Sequence, residues 1–482
     1  MESFTTLPQY AAAAPQVLPG APPSIPAAGR RGRAAVPAGA TEPKPDRLLR
    51  AVGLMLFAYV WRLQDAFPIL SKFYLPILFA GLALVYFATS RHPWRRLSQI
   101  RLPVVTLSLV LFALMVLGIP GSLWRGASFS FTFKGFLPNL VFMGLVAASV
   151  RTTRDVEWYA KVNLYGAIFY ATIVNLFFHV GYDGRLGDLV YYDANDFALI
   201  MVCTIPFGVY ALKKGNRARS RVFGIIGLWL FALAVVKSGS RGGFLGFVAV
   251  ILYVLLRYRA IPSRVRLFAG VGGVALLLLL ASDKYWTMMS TMLHPKDDYN
   301  WSGEQGRREI WKRGVGYAMS HPILGIGVRS YPIAEGTLSE VGRQRLAEGK
   351  GFKWSVAHNS FLETAAELGI PAAIVFIAMF AVTIRALTRI RLDGPYGPWV
   401  TAREVALAQL LIGSFVGYVV AGFFVSAEYF SYLYFLFGLA AGLLKLVRLR
   451  RATTLAMLAQ HGRGPGAPGR APVWQPAASG AR

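Results

Sequence analysis

The sequence predicts an all-α protein that crosses a membrane about twelve times, with one large loop between two late spans. Of its 482 residues, 55% are hydrophobic and only 15% are charged, and the mean hydropathy is +0.47. This apolar content exceeds that of an average soluble domain. Several apolar runs approach the roughly 20 residues that a helix needs to cross about 30 Å of hydrocarbon. Lys and Arg concentrate in alternate connections between these runs.

Twelve apolar segments are the candidate spans. Nine of them lie within residues 48–281, and three lie within residues 358–447, where a short helix is expected before the tenth span. The segments are 48–61, 73–89, 102–119, 135–150, 162–179, 196–212, 222–237, 243–258, 267–281, 370–387, 405–425 and 429–447.

The connections between these segments alternate sharply in charge. Short outer connections hold isolated basic residues, whereas basic clusters occur at 91–101, 151–161, 213–221, 257–266, 385–403 and 445–451. By the positive-inside rule the clusters are cytoplasmic, and so are both termini. Membrane topology therefore explains the formal net charge of +28, and no nucleic-acid partner is expected.

Two tails flank the spans. Residues 1–47 are rich in Ala and Pro, and residues 448–482 end in a Gly-, Pro- and Ala-rich stretch, so we expect a disordered cytoplasmic tail at the start and a second cytoplasmic tail at the end. The first tail is too long and too rich in proline for a secretory signal peptide, which makes the first span an uncleaved start-transfer segment. The single cysteine, Cys203, is read as a packing residue, because it has no partner for a disulfide or a metal site.

Residues 282–357 form the large outer loop, and loops of this length usually have a function. Within it, residues 304–320 have the pattern of an amphipathic helix that lies along the membrane surface. We expect Arg308, Lys312 and Arg313 to form its solvated face near lipid headgroups. Arg307 has two interpretations of equal weight. It belongs to the same solvated face, or it binds phosphate oxygens through two guanidinium donors at once.

A tight outer turn, Lys237-Ser-Gly-Ser-Arg241-Gly-Gly243, is a candidate phosphate site. Its glycines permit a close approach to the backbone, Ser240 offers a hydroxyl, and the next helix presents its N-terminus. The alternative interpretation is a flexible turn with one arginine that reaches the membrane surface.

His358-Asn359 stands where the large loop returns to the membrane. The spacing of Ser360 and Glu363 predicts a capping box, so Glu363 is interpreted as a structural cap and not as a catalytic base. His358 then lies at the start of a rigid helix, where a histidine can exchange protons with a hydroxyl near neutral pH. A merely interfacial histidine is the alternative.

The stretch from Gly184 to Asp196 carries several carboxylates, but their spacing does not indicate a metal site. Asn195 or Asp196 is expected to cap the sixth span. Arg185 is assigned a supporting role in binding an anion.

Together these residues resemble the O-antigen ligase and polymerase superfamily of bacterial membrane glycosyltransferases. His358-Asn359, nine further residues and then Gly369 resemble the ligase signature, although Ala372 stands where that signature has its last glycine. The Ser240-Arg-Gly turn, Gly306-Arg307 followed by Trp311, and the Gly325-Ile-Gly327 stretch are also similar. The resemblance covers roughly residues 51–447.

The resemblance implies a GT-C-like enzyme without a metal or cofactor, which inverts the sugar configuration as it moves a glycan from undecaprenyl diphosphate to an acceptor hydroxyl. Lipid A-core is the favoured acceptor, and the site would lie on the periplasmic face of a bacterial inner membrane. Arg241 and Arg307 would bind the diphosphate, and His358 would orient or deprotonate the acceptor. Supporting contacts to substrate are assigned to Lys237, Ser240, Arg185, Arg308 and Asn359.

Other functions stay open at this point. A polymerase would extend another lipid-linked repeat, and a relative could transfer onto protein. A flippase for the same lipid-linked sugars is the main alternative from another class, but such transporters often contain internal repeats and place charges near the bilayer midplane. A membrane scaffold would predict that none of the candidate residues affects glycan transfer.

Overall fold

The computed structural model describes residues 45–181, 185–187, 191–294, 299–303, 305–352 and 354–460. Apart from residues 45–47, the predicted N-terminal tail lies outside these ranges, as does the C-terminal tail from residue 461. The described ranges are helical and contain no strand. In chain order the α-helices are α1 Arg47–Tyr59, α2 Leu63–Ala66, α3 Leu75–Ala88, α4 Pro103–Gly118, α5 Arg125–Ser130, α6 Leu137–Ser149, α7 Thr153–Phe177, α8 Ala194–Ala211, α9 Ala218–Ser238, α10 Arg241–Leu256, α11 Ser263–Leu280, α12 Asp283–Ser290, α13 Tyr299–Ser302, α14 Arg307–Ser320, α15 Tyr331–Thr337, α16 Glu340–Ala347, α17 Ser360–Leu368, α18 Ile370–Thr388, α19 Ala402–Gly422 and α20 Ser431–Gln460.

The predicted class, an all-α multi-pass membrane protein, is confirmed. Within the described ranges, 8 helices are long and apolar enough to cross a membrane, and α4 and α10 are shorter apolar helices. Each of the twelve predicted segments overlaps a helix. Twelve spans stay a prediction, because α1 has only 13 residues and α7 carries charged residues through its first two turns.

Small residues allow the central helices to pack closely. Helix α8 is buried along nearly its whole length and contacts α7, α9, α10 and α19. A Cβ atom on Gly224 of α9 would lie 2.9 Å from the carbonyl oxygen of Gly208 in α8. Likewise, a Cβ atom on Gly438 of α20 would lie 2.7 Å from the carbonyl oxygen of Met143 in α6. Such contacts suit membrane helices, whose association depends on close packing.

The described part of residues 282–357 contains five short helices, α12 to α16, and a small core to which Ala366 of α17 also contributes. Ile310, Tyr317, Tyr331 and Ala334 are buried together in this core. Helix α14 confirms the predicted helix at 304–320. It buries Ile310 and Ala318 as expected, while Val315 and Met319 of the predicted apolar side are exposed.

The expectation for Arg313 is wrong. Its guanidinium forms a bidentate ion pair with Glu335 of α15, and the shortest distance, between Nη2 and Oε2, is 2.5 Å. The Glu335 side chain is fully buried. A buried carboxylate requires a charged partner, and Arg313 supplies it across the two helices. Arg308 and Lys312 remain exposed, as predicted.

Replacing Arg313 with alanine should destabilise this core by about 3–5 kcal/mol, because Glu335 would be left as an uncompensated buried charge. The matched control is Lys312→Ala, which removes an exposed ion pair to Glu309 worth about 0–1 kcal/mol. Thermal unfolding and protease cleavage within residues 305–352 would measure both. Equal stability of the two variants would contradict the role of Arg313 as the charged partner of buried Glu335.

The end of α17 is joined to residues 322–327 through backbone hydrogen bonds. The N–H groups of Ile326 and Gly327 donate to the carbonyls of Ala366 and Glu367 at 3.0 and 2.9 Å, and the N–H of Ile370 donates to Pro322. These bonds satisfy carbonyls that a helix end leaves without partners. Gly325 has φ +67°, and a Cβ there would lie 2.3 Å from the carbonyl carbon of Glu367, so only glycine fits.

Candidate functional site

Arg241 is the first residue of α10. The preceding helix ends at Ser238, and Gly239 follows it with φ +60°, which reverses the chain. Ser240 is the N-cap of α10, and its Oγ accepts the N–H of Gly243 at 3.1 Å. The buried hydroxyl of Ser240 therefore has a structural role in forming the start of the helix that carries Arg241.

The glycines of the outer turn bring α10 close to other parts of the protein. A Cβ on Gly242 would lie 2.7 Å from Cβ of Phe424, and one on Gly243 would lie 2.6 Å from Cβ of Ala198. The sequence predicts that these glycines let a phosphate approach the backbone, and in the structure the side chains of Phe424 and Ala198 approach them. Arg241 is thereby held beside residues 423–430, which connect α19 to α20 and are called the α19–α20 loop below.

Arg307 begins α14, and Trp311 follows one turn later on the same face. The Trp311 ring packs against Phe423 and Phe424 of the α19–α20 loop, with ring centroids 5.4 and 6.3 Å apart. Its Nε1 donates to the carbonyl of Ala357 at 2.9 Å. The indole thus fixes the start of α14 against both that loop and the residue before His358.

His358 has φ +50°, a left-handed conformation that is uncommon for a residue with a side chain. Its N–H donates to Oγ of Ser426 at 2.9 Å. Ser426 in turn donates to the carboxylate of Glu363. Such backbone strain persists only where surrounding contacts impose it, and these bonds hold His358 against the α19–α20 loop.

The structure therefore brings the segments that carry the three predicted catalytic residues, Arg241, Arg307 and His358, into contact with one element. Phe424 contacts Gly242 and Trp311, and Ser426 contacts His358. No function is predicted from the sequence for the α19–α20 loop. Two adjacent phenylalanines followed by Ser426 at the end of a span were the available signal, but they match no motif that indicates chemistry.

The five predicted substrate contacts have partners within the protein. Lys237 donates to the carbonyl of Asn175 at 2.6 Å, and Arg185 donates to Oδ1 of Asn195 at 2.8 Å. Asn359 is the N-cap of α17. Ser240 caps α10, and Arg308 is exposed beside Glu309. Their substrate contacts stay predictions, because no substrate is bound here.

Two capping assignments need correction. Helix α8 begins after Asp193, whose Oδ1 accepts the N–H groups of Asn195 and Asp196, so neither Asn195 nor Asp196 is the cap itself. Asp196 does complete the capping box, because its carboxylate accepts the N–H of Asp193.

At α17, Asn359 is the cap, and Ser360 is not. Ser360 instead donates to the carbonyl of Val425 at 2.6 Å and accepts the N–H of Ala427 at 2.9 Å. The carboxylate of Glu363 reaches back past the N-cap and accepts the N–H of Ala357 at 3.0 Å. Both residues therefore tie the returning chain to its surroundings, and the predicted capping box between them is wrong.

Glu363 belongs to a group of three buried carboxyls with Glu367 and Glu428. One oxygen from each lies within 4.8 Å of the others. Glu367 accepts the N–H of Tyr331 at 3.0 Å and the hydroxyl of Tyr429 at 3.1 Å. Oε2 of Glu428 has no hydrogen-bond partner among the described residues. No metal is predicted from the sequence, whereas among the described residues this group has a geometry that can hold a cation.

Three buried carboxylates repel one another, and protonation relieves that repulsion as a bound cation would. Burial, together with the neighbouring carboxyl of Glu367, raises the pKa of Glu363 to about 8. Burial also raises the pKa of Glu367, and burial and both neighbours raise the pKa of Glu428 well above its usual range. Neutral carboxyls can donate as well as accept, so protons can be shared within the group.

The raised pKa of Glu363 predicts a pH dependence of stability. Since its ordinary pKa is 4.5 and its pKa in the folded protein is about 8, its contribution is complete below pH 4.5 and is lost as the pH rises through 8. We expect the melting temperature to fall between pH 5 and pH 8, and Glu363→Gln to flatten that fall. The exposed Glu340→Gln is the control and should keep the wild-type slope. Identical slopes for both variants would contradict the prediction.

The helices described above define a multi-pass membrane protein, and the segments that carry Arg241, Arg307 and His358 all contact its α19–α20 loop. Residues 226–377, from α9 into α18, match the family model described as O-Antigen ligase. This match confirms the resemblance to the O-antigen ligase and polymerase superfamily. It includes Arg241, Arg307 and His358 and leaves out Arg185 and the α19–α20 loop. No curated protein matches the chain.

Proposed function

We propose that this protein is an O-antigen ligase-like glycosyltransferase that moves a glycan from undecaprenyl diphosphate to an acceptor hydroxyl. The observation that carries the proposal is the convergence of the Arg241, Arg307 and His358 segments on the α19–α20 loop. Two arginines and a histidine carried by segments that contact one loop suit a substrate with a diphosphate leaving group and a hydroxyl nucleophile. Lipid A-core is the acceptor that we favour.

In the proposed reaction the acceptor oxygen attacks the anomeric carbon from the face opposite the diphosphate. The bond between that carbon and the diphosphate oxygen breaks, undecaprenyl diphosphate leaves with the electron pair, and the anomeric configuration inverts. Arg241 and Arg307 stabilise the negative charge that develops on the leaving group. His358 orients the acceptor hydroxyl or accepts its proton. The mechanism uses no metal.

The placement in the cell is also part of the proposal. Basic clusters on alternate connections put both termini in the cytoplasm and the site on the periplasmic face of a bacterial inner membrane. Lys237, Ser240 and Asn359 would act chiefly by shaping the segments that carry Arg241 and His358. Arg185 and Arg308 would contribute positive charge near the substrate.

Product analysis with purified full-length protein tests this function. Lipid-linked glycan would be supplied with lipid A-core, with a second lipid-linked repeat or with an acceptor peptide, each in buffer containing EDTA. Glycan on lipid A-core is the expected product. Longer lipid-linked chains would identify a polymerase, and a glycopeptide a protein transferase. Movement of lipid-linked glycan across vesicles without any new bond would identify a flippase and overturn the proposal.

A further inference from the structure

A cavity lies next to the candidate site and has no role in the mechanism above. Its volume is about 560 Å³, within the size range of small-molecule sites. One wall comes from α5 and the π-helical segment Phe131–Phe136, and another from the chain around Arg329. Glu363 and Glu367 of α17 line the remaining side. We call it the Arg329 cavity.

Irregular backbone forms two walls of this cavity. Phe131–Phe136 is a π-helix within an otherwise continuous helical stretch, and such segments frequently mark functional sites. Arg329 has φ +62°, although it is not glycine. The neighbouring carbonyls of Ile326 and Val328 accept hydrogen bonds from the N–H of Leu123 and the hydroxyl of Ser128 at 2.9 and 2.7 Å. These contacts hold the unusual conformation in place before any ligand binds.

Lys134 and Arg329 line the cavity beside the buried carboxyls of Glu363 and Glu367. Burial raises the pKa of both carboxyls, and the guanidinium of Arg329 opposes that effect. Lys134 and Arg329 are both exposed, and neither forms an ion pair with any residue that the structure describes. The guanidinium of Arg329 lies 5.2 Å from the centroid of the Phe131 ring, which steadies it. By contrast, the carboxyls of Glu363 and Glu367 already accept hydrogen bonds from Ala357, Ser426, Tyr331 and Tyr429.

Trp124 gives the cavity an aromatic wall and is 54% exposed. An exposed indole offers a flat apolar face on which the C–H face of a sugar ring can stack. The cavity also includes Val356, two residues before His358, and it shares Glu363 with the hydrogen bonds that hold His358. A ligand in the Arg329 cavity would therefore lie close to the histidine that handles the acceptor.

We propose that the Arg329 cavity binds an acidic sugar residue of the acceptor. A phosphate or carboxylate group on that sugar is bound by Arg329 and Lys134, and the sugar ring stacks on Trp124. This inference rests on the proposed transfer function and adds the chemical class of acceptor. It also separates the two substrates: the donor diphosphate lies beside Arg241 and Arg307, and the acceptor lies on the Arg329 side of His358.

The first test measures binding without any transfer. Full-length protein in phosphatidylcholine nanodiscs would be titrated with glucose 6-phosphate, glucuronate and glucose, and binding followed by saturation-transfer NMR and calorimetry. We expect the two anionic sugars to bind and glucose to bind at least about tenfold more weakly. The double variant Lys134→Gln, Arg329→Gln should lose the preference, and Arg329→Lys should keep part of it. Arg125→Gln, an exposed arginine of α5 that does not line the cavity, is the control.

Several outcomes would overturn the inference. They are no binding of either anionic sugar, equal binding of glucose, and equal binding by the wild type and the double variant. Displacement of the sugars when phosphatidylglycerol replaces phosphatidylcholine would assign the cavity to a lipid headgroup. Thermal unfolding of each variant shows whether a lost signal reflects lost folding, and Arg329→Lys covers the case in which the double variant is unstable.

The second test uses transfer. With a phosphorylated acceptor, the double variant should raise the KM for the acceptor about tenfold and leave the KM for the lipid-linked donor unchanged. Removing the acceptor phosphate enzymatically should abolish the difference between the variant and the wild type. If no acceptor supports transfer, the proposed function fails, while the binding titrations still decide whether the cavity recognises acidic sugars.

Discussion

Replacing Arg241 or Arg307 with alanine is expected to lower the rate of glycan transfer by about 10²–10³-fold. Each substitution removes preorganised donors from the position where the diphosphate gains negative charge, and the loss of one such donor typically has an effect of this size. Because both groups act on the same leaving group, the double variant should fall short of the product of the two single effects. Single-turnover transfer with a fixed lipid-linked donor measures this directly.

Arg308→Ala is the matched control for Arg307→Ala. It is the next residue of α14, but its side chain is 58% exposed and lies beside Glu309. We expect less than about a threefold change in transfer, and the difference from the wild type should shrink as salt is raised, since exposed charges are screened. A large loss in Arg308→Ala together with wild-type transfer in Arg307→Ala would show that the wrong arginine has been assigned to the diphosphate.

The helices of this protein could be predicted from the sequence because each membrane helix corresponds to a contiguous run of apolar residues. Uninterrupted apolar runs give each span, and the alternating basic clusters check their order. The limits of α17 and α8 were harder, since Asn359, Asp193 and their neighbours are all good caps and the choice depends on which N–H each side chain reaches. The partner of Arg313 could not be predicted, because Glu335 belongs to another helix.

The candidate site was predictable only in part, for a related reason. Arg241, Arg307 and His358 stand out because each occurs in a local pattern of glycine, tryptophan or asparagine. What brings their segments together is the α19–α20 loop, which follows His358 by more than sixty residues and contacts them through side-chain packing and single hydrogen bonds. Contacts of that kind leave no periodicity in one sequence. The cavity beside Arg329 was missed in the same way, because its walls come from three distant stretches.

The structure explains why glycine occurs at positions 325 and 369, which the sequence alone does not. The sequence offered Gly325-Ile-Gly327 only as a point of resemblance. In the structure, the chain at Gly325 touches the end of α17, and a Cβ on Gly369, which has φ +87°, would lie 2.3 Å from the carbonyl oxygen of Ile323. The close backbone contacts at Gly325 and Gly369 fix the direction of the α17 axis. They therefore set the direction in which His358 and Glu363 enter the site.

Removing the hydroxyl of Ser426 is the sharpest test of how His358 is held. The hydroxyl joins the N–H of His358 to the carboxylate of Glu363, so Ser426→Ala removes both bonds beside a residue in a strained conformation. We expect kcat to fall about 10²-fold, because small misplacement of a catalytic group is costly, while the KM for the lipid-linked donor changes little. Transfer kinetics over pH 5 to 9 would measure both values.

Ser426→Thr keeps the hydroxyl at a partly buried position and should restore most of the rate. Glu363→Ala should resemble Ser426→Ala in its effect on kcat and should in addition lower the melting temperature, because it leaves the N–H of Ala357 without its acceptor. A purely structural role predicts the reverse order: loss of folded protein in both alanine variants, with normal turnover in whatever protein remains folded. The ratio of kcat to the folded fraction therefore separates a residue that positions His358 from one that only supports the fold.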